Sequence, residues 1–284
     1  MKFSAMLIFS TLFLLFIYTP LAHWIWGGGW LAQLGTLDFA GGAVVHISCA
    51  AAALACVHVL GPRLGLQKGE TAPHNLPMTV LGMGLLWFGW FGFNGGSALA
   101  ADGIAVNAVL ATHLAAAAGI LGWLVLEKMH FGKPTTFGTV SGAIAGLASV
   151  TPAAGFVTPM IGMLIGFLGG MICYGAVLLK PKIGYDDALD VIGIHGVGGT
   201  FGMLALGLFG SLAVNPAGAD GLFSGNPWFF VVQLITVVVS WVFCYAVARG
   251  ILYLVQIVTR VRADESEEIT GMDMSEHNER DYQF

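Results

Sequence analysis

An all-α, polytopic membrane helix bundle is the fold class predicted here, and three observations carry it. Of 284 residues, 57% are hydrophobic and 10% charged, against about 25% charged in an ordinary soluble domain. Water cannot solvate so weakly charged a surface, so lipid must be the solvent for most of it. The mean hydropathy of +0.82 agrees, and apolar runs of about 20 residues, the length that crosses a bilayer, recur along the chain. The basic residues between those runs fall on alternate connecting segments. Together these exclude a soluble enzyme and a disordered protein. With 11 Lys+Arg and a net charge of -5, there is no basic face for a nucleic-acid backbone.

Eight spans are expected, at 4–24, 38–60, 77–98, 104–126, 137–152, 156–179, 188–213 and 227–250. The first follows Lys2 and ends in His23-Trp24-Ile25-Trp26, aromatics that suit the outer interface belt. No Ala-x-Ala site follows it, so it reads as a span rather than a signal peptide. The second opens at Asp38 and is followed by Arg63 and Lys68. The third ends Trp87-Phe-Gly-Trp90-Phe91-Gly-Phe93-Asn94-Gly-Gly-Ser97, with only Asp102 beyond it. The fourth passes His113 among alanines and is followed by Lys128 and Lys133. The fifth is short and glycine-rich, with no basic residue after it. The sixth ends at Lys180 and Lys182. The seventh opens at Asp187 and is followed by Asp220, and the eighth by Arg249, Arg260 and Arg262. A wrong count would scramble this alternation. Lys and Arg mark the cytoplasmic side, which puts both ends of the chain in the cytoplasm.

Residues 1–262 therefore read as one transmembrane domain, and 263–284 as an acidic cytoplasmic tail. The tail's composition favours a solvated, disordered end over a docking or gating segment. Cys49, Cys56, Cys173 and Cys244 all lie in apolar runs without a CxxC, which argues against a disulfide framework or a zinc site. Gly-xxx-Gly spacing at Gly142/Gly146, Gly162/Gly166/Gly170 and Gly198/Gly202 is a signal for close helix packing and points to no ligand. No catalytic or cofactor motif appears.

The second and seventh spans share a pattern. Each opens on an aspartate, Asp38 or Asp187, and reaches a histidine eight residues later, His46 or His195; Asp190 sits inside the second copy. The spans lie five apart, so they cross the membrane in opposite directions, as the halves of an inverted repeat do. A five-span unit ending at span seven implies a partner unit with three spans upstream of Met1, so an N-terminally truncated chain is expected. At 1.5 Å per residue each histidine lies about 12 Å in from its aspartate, near mid-bilayer. Polar groups at that depth face a partner or a cavity. Two packing histidines would satisfy the pattern, and so would a pair sharing one hydrogen bond and able to relay a proton. A metal site would need a third ligand. The other six histidines read as structural. Asp38, Asp187 and Asp190 sit where helix caps belong, and Asp38, at the outer mouth, also favours cations. Trp24, Trp26 and Trp30 share that outer side with the aromatic end of span three and Ser97. Such an aromatic group can hold a small cation through cation–π attraction of about 2 kcal/mol when desolvated, or it can be an ordinary interface belt.

At these residues the chain resembles ammonium transporters of the Amt/Mep/Rh superfamily, on the bacterial Amt branch. The similarity is carried by Asp38-Phe-Ala-Gly-Gly-Ala-Val-Val-His46-Ile with Gly61-Pro-Arg63, by Ala22-His-Trp-Ile-Trp26-Gly-Gly-Gly-Trp30, by Gly89-Trp-Phe-Gly-Phe93-Asn-Gly-Gly-Ser97 and by Asp187-Ala-Leu-Asp190-Val-Ile-Gly-Ile-His195-Gly. The resemblance implies an eleven-span fold of two inverted five-helix repeats plus a final helix, with eight of the eleven spans present here. It implies ammonium or ammonia passage and no enzyme activity or cofactor. His46 and His195 would be the twin pore histidines. Trp26, Ser97 and Asp38 would form the outer recruitment site, and Phe93 would be one of two gate phenylalanines, the other lying upstream. A homotrimer in the inner membrane and a PII-type signal protein at the cytoplasmic face are likewise implied. Asn278, where the family usually has glycine, departs from its tail pattern. An ammonium sensor with little flux, or a non-conducting truncated relative, is the alternative.

Overall fold

The computed structural model describes residues 1–66 and 74–280. Lys68, part of the charge pattern, lies outside the described residues. Within them the chain is helical throughout, with helices α1 (Phe3–Phe13), α2 (Thr19–Trp26), α3 (Trp30–Leu34), α4 (Ser48–Leu60), α5 (Leu76–Trp90), α6 (Gly103–Phe131), α7 (Thr136–Val150), α8 (Pro159–Ile183), α9 (Val197–Phe209), α10 (Pro227–Val258) and α11 (Glu265–Thr270). Turns of π-helix join or extend them at Leu14–Tyr18, Gly42–Ile47, Phe91–Gly95, Ile192–Gly196 and Asp273–His277.

Among the described residues seven helical runs are long and apolar enough to cross a membrane, which makes this a multi-pass membrane protein. The expected span not among the seven is the fifth, α7, whose 15 residues reach about 22 Å, short of a bilayer core of about 30 Å. It ends in a turn at residues 151–157 whose members are all buried. Irregular backbone at that depth is tolerated only inside protein. Here the turn is tied to neighbouring loops: the Phe39 amide donates to the Pro152 carbonyl (3.0 Å) and the Ser211 amide to that of Phe156 (2.9 Å). Caps start the helices where the residue types predict. Asn75, Asp102, Thr135, Thr158 and Asn226 each accept a backbone N–H of the first turn of α5, α6, α7, α8 and α10.

Glycines let α6, α7 and α8 approach closely. A Cβ on Gly142 would stand 2.8 Å from the Trp123 Cβ and 2.9 Å from the Gly119 carbonyl oxygen, and one on Gly166 or Gly146 would meet the backbone of Ala115. Without a hydrophobic drive between helices in lipid, such contact is the main source of association.

The tail departs from its expected form. Rather than a disordered end, residues Glu265–Thr270 form α11, started by a capping box between Asp264 and Glu267. It docks against residues from both ends of the membrane-spanning part of the chain. Lys2 Nζ donates to Glu267 (2.6 Å), and Arg262 bridges Glu268 (2.7 Å) and the Leu60 carbonyl (2.7 Å). Phe3 packs edge-on against His277 at 4.9 Å. The Lys2 hydrogen bond holds the Glu267 carboxyl below the usual carboxylate range, and the Arg262 hydrogen bond does the same for Glu268.

Candidate functional site: a histidine pair below an aromatic outer cavity

The two aspartate-to-histidine segments meet at the middle of the bundle. Each histidine occupies a π-turn, His46 in Gly42–Ile47 and His195 in Ile192–Gly196. Their Nδ1 atoms are 3.1 Å apart. One imidazole must donate and the other accept, so the two rings hold complementary tautomers. The donor ring then carries a bare Nε2 and the acceptor ring an Nε2–H, and the pair offers one acceptor and one donor to whatever lies beside it. The Nε2 of His46 has no hydrogen-bond partner among the described residues, although His46 is only 2% exposed. Both rings line a cavity of about 600 Å³ with Phe93, Trp90, Cys49 and Val45. Gly199 permits the approach: a Cβ there would lie 2.8 Å from the His46 Cβ.

Trp90 completes the wall. Its ring stacks on His46 at 5.5 Å and 23°, and its Nε1 donates to Thr151 Oγ1 (2.9 Å). Phe93 stands edge-on to both, 6.1 Å from His46 and 5.5 Å from Trp90. Trp90 was readable only as part of the outer aromatic run, although its spacing of three from Phe93 already puts both on one helix face.

Asp38 and Asp187 act as caps. The Asp38 carboxylate is buried and accepts four backbone N–H groups, from Gly41 (2.9 Å), Gly42 (2.7 Å), Ala43 (2.8 Å) and Val44 (3.2 Å). These are the orphan donors of the turn that carries His46. Asp187 likewise accepts the Ile192 N–H at 2.7 Å. Asp190 adopts φ +56° and pairs with Lys180, while its carbonyl accepts the Ile194 amide (2.8 Å).

A second cavity, of about 630 Å³ and at the end that the charge pattern predicts to be the outer one, is lined by Trp26, Asp38, Phe39, Ser97, Phe156 and Asn215 among others. Trp26 is 44% exposed, and its Nε1 donates to the Asp38 carbonyl (2.7 Å). The Ser97 hydroxyl donates to the Phe93 carbonyl (2.7 Å), leaving its lone pairs as acceptors. Trp24 and Trp30 do not join this cavity: they pack on each other at 5.9 Å, and Trp24 lies 4.5 Å from Phe243. Gln233, Thr36 and Thr236, which the sequence did not single out, hold the segment leading to Asp38. Among the described residues no three metal-ligating side chains come together.

Comparison with known proteins identifies the family and the fold. The sequence profile of the Ammonium Transporter Family matches residues 1–282. The chain is 52% identical over 286 residues to the ammonium transporter of Bacillus subtilis, covering 100% of this chain and 70% of that protein. It is 47% identical over 281 residues to ammonium transporter Amt1 of Archaeoglobus fulgidus, covering 99% and 71%. The crystal structure of Candida albicans Mep2 superposes with a TM-score of 0.86 at 36% identity, covering 94% of this chain and 61% of that one. A structure titled Sensor Amt Protein matches with a TM-score of 0.80 at 28% identity, over 90% and 66%. The chain thus spans about two thirds of the length of these relatives, and its named relatives are transporters rather than enzymes. With a profile match over nearly every residue, the chain belongs to the ammonium transporter family.

Proposed function

We propose that this chain moves ammonium or ammonia across a cell membrane, through the cavity walled by the histidine pair. The observation that carries the reading is the 3.1 Å contact between His46 and His195 at the side of an otherwise apolar cavity. Ammonium is recruited at the outer cavity by the exposed face of Trp26 and by the Ser97 hydroxyl. Asp38 supports that site with a negative charge at its rim and with the carbonyl that orients Trp26, since its carboxylate oxygens are already given to four amides. Desolvating an ion fully costs tens of kcal/mol in the Born limit, and a cation–π contact returns about 2 kcal/mol. Giving up a proton removes the charge, and neutral ammonia passes Phe93. The histidine pair meets ammonia with one acceptor and one donor nitrogen, or conducts the released proton. Potassium has no proton to lose and is refused.

The same reading assigns residues 1–262 to transport and 263–284 to cytoplasmic regulation. It places both ends of this chain in the cytoplasm of an inner-membrane homotrimer, with a PII-type protein docking beside α11. The test is ammonium-coupled current in vesicles holding the purified chain. The variant His46→Leu with His195→Leu is expected to abolish it, and proton-coupled flux unchanged in that variant would sink the role of the pair. The likeness to the sensor Amt structure supports a second reading, in which occupancy of the site signals through the docked tail. Flux in vesicles free of cytosolic proteins separates the two.

A further inference from the structure

The Trp26 side of the outer cavity rests on one short segment, residues 36–38, whose first two residues are held by α10 through a buried polar clip. Gln233 is 0% exposed. Its Nε2 donates to the Leu37 carbonyl at 2.7 Å, and its Oε1 accepts the Leu37 amide at 3.3 Å. One side-chain amide thus satisfies both backbone groups of one residue, as a neighbouring strand would. One turn further along α10, Thr236 Oγ1 lies 2.6 Å from Thr36 Oγ1. The Thr236 hydroxyl donates to the Val232 carbonyl (2.9 Å), so the proton in the Thr36–Thr236 contact comes from Thr36. Two successive residues are therefore pinned to positions three apart on one helix face.

The next residue is Asp38. Its carbonyl orients the Trp26 indole, and its carboxylate caps the turn that carries His46. Among the described residues, no hydrogen bond ties Gln233 or Thr236 to Trp26, Ser97, His46 or His195, and the polar link from these two side chains toward the site is this segment. A polar side chain deep in a membrane protein is expensive; here it satisfies irregular buried backbone and at the same time fixes the residue next to Asp38.

We infer that Gln233 is a positioning residue of the outer cation site: by clamping Leu37 it sets the height of the Asp38 carbonyl, and with it the plane that Trp26 presents to the cavity. This rests on the transport reading above. Loss of the clamp frees the Asp38 carbonyl to shift, so Trp26 loses its fixed orientation while the histidine pair, held by the Asp38 cap and Gly199, keeps its contact.

The test is initial ammonium uptake against concentration in vesicles, for the wild-type chain, Gln233→Leu, Gln233→Glu and Thr236→Val. Gln233→Leu is expected to raise the apparent KM about tenfold, near 1.4 kcal/mol, with a maximal rate within twofold of wild type. Thr236→Val, isosteric and lacking only the hydroxyl, should raise it about threefold. Gln233→Glu can donate and accept like the amide only when protonated, so its KM relative to wild type should fall toward one as pH is lowered. A KM unchanged in Gln233→Leu and Thr236→Val overturns the inference. A maximal rate that falls with stability while KM stays constant does so too, since that marks a merely structural glutamine. If Gln233→Leu does not fold, Thr236→Val and the pH series on Gln233→Glu decide the matter. No uptake by wild type removes the transport reading instead, a result distinct from either.

Discussion

Asp38 sharpens the difference between attracting a cation and building the site that does so. Its carboxylate accepts four amides in two pairs, Oδ1 from Gly41 and Gly42 and Oδ2 from Ala43 and Val44. In Asp38→Asn the remaining oxygen keeps one pair, and the new NH2 faces the other pair donor to donor. Each buried donor left unmade costs about 1–3 kcal/mol, so two cost about 2–6 kcal/mol. Loss of the negative charge at a helix N-terminus adds about 1 kcal/mol. The sum, about 3–7 kcal/mol, is a large share of the 5–15 kcal/mol that typically separates folded from unfolded states. Asp38→Ala orphans all four donors and is expected not to fold, which makes Asn the informative change. The assay is denaturation in detergent together with hydrogen exchange at residues 41–44, run beside ammonium affinity. Stability should fall by several kcal/mol, exchange at those four amides should rise by orders of magnitude, and the exchange of α6 and α8 should hold. Unchanged stability and exchange with weakened ammonium binding alone would refute the reasoning and leave Asp38 with an electrostatic role only.

Three further outcomes follow from the same geometry. Gly199→Ala places a Cβ 2.8 Å from the His46 Cβ and 2.9 Å from the Gly42 carbonyl, so it should displace His46 and cut ammonium flux at least tenfold while costing about 1–3 kcal/mol of stability; equal flux would show that the 3.1 Å histidine contact is dispensable. Gly166→Ala drives a Cβ into the Ala115 backbone, which cannot yield as a flexible side chain would. It should cost a similar 1–3 kcal/mol, seen as a lowered unfolding midpoint with no selective change in KM. The tail should release in acid. Glu267 and Glu268 have folded-state pKa values depressed by Lys2 and Arg262; their contribution is therefore present above the ordinary carboxylate pKa of about 4.3 and lost as pH falls through the lower folded values. Exchange across residues 265–277 should rise below about pH 4 while the spans stay protected, and protection persisting at pH 3 would remove the ion pairs from the docking.

The multi-pass helical architecture was legible because lipid leaves the sequence little freedom: apolar length is a physical requirement. The pairing of His46 with His195 was legible for a related reason, since two polar groups at one depth must find company. Grouping by nearness in sequence failed for the tryptophans. Trp24 and Trp26 are two residues apart, about 200° around a helix, so only one can face the outer cavity. Gln233 escaped notice because its partner is the backbone of Leu37, and backbone carries no side-chain signature. The docked tail escaped because its charges were counted as solvated, while their partners, Lys2 and Arg262, lie at the far ends of the transmembrane domain.

The π-turns were invisible for a deeper reason, and they matter most. A π-turn is a slip of the hydrogen-bond ladder from i+4 to i+5, which no composition encodes. Yet Phe93, His46 and His195 each sit in one, and each slip swings its side chain off the register that a regular helix would impose. A regular helix through Gly42–Ile47 would turn the His46 side chain away from its present direction, against the packing that Gly199 and Trp90 provide. The slip also shifts which amides stand unpaired at the helix start, and that is where the aspartates act. Asp38 meets this need with four hydrogen bonds from one carboxylate. On the other side the task is divided: Asp187 takes the Ile192 amide, and Asp190, in left-handed backbone, takes that of Ile194 through its carbonyl while Lys180 anchors both. The two segments therefore share an arrangement rather than a set of contacts. An aspartate eight residues before a histidine is the trace in sequence of a distorted turn that must be capped before it can aim one imidazole at the other.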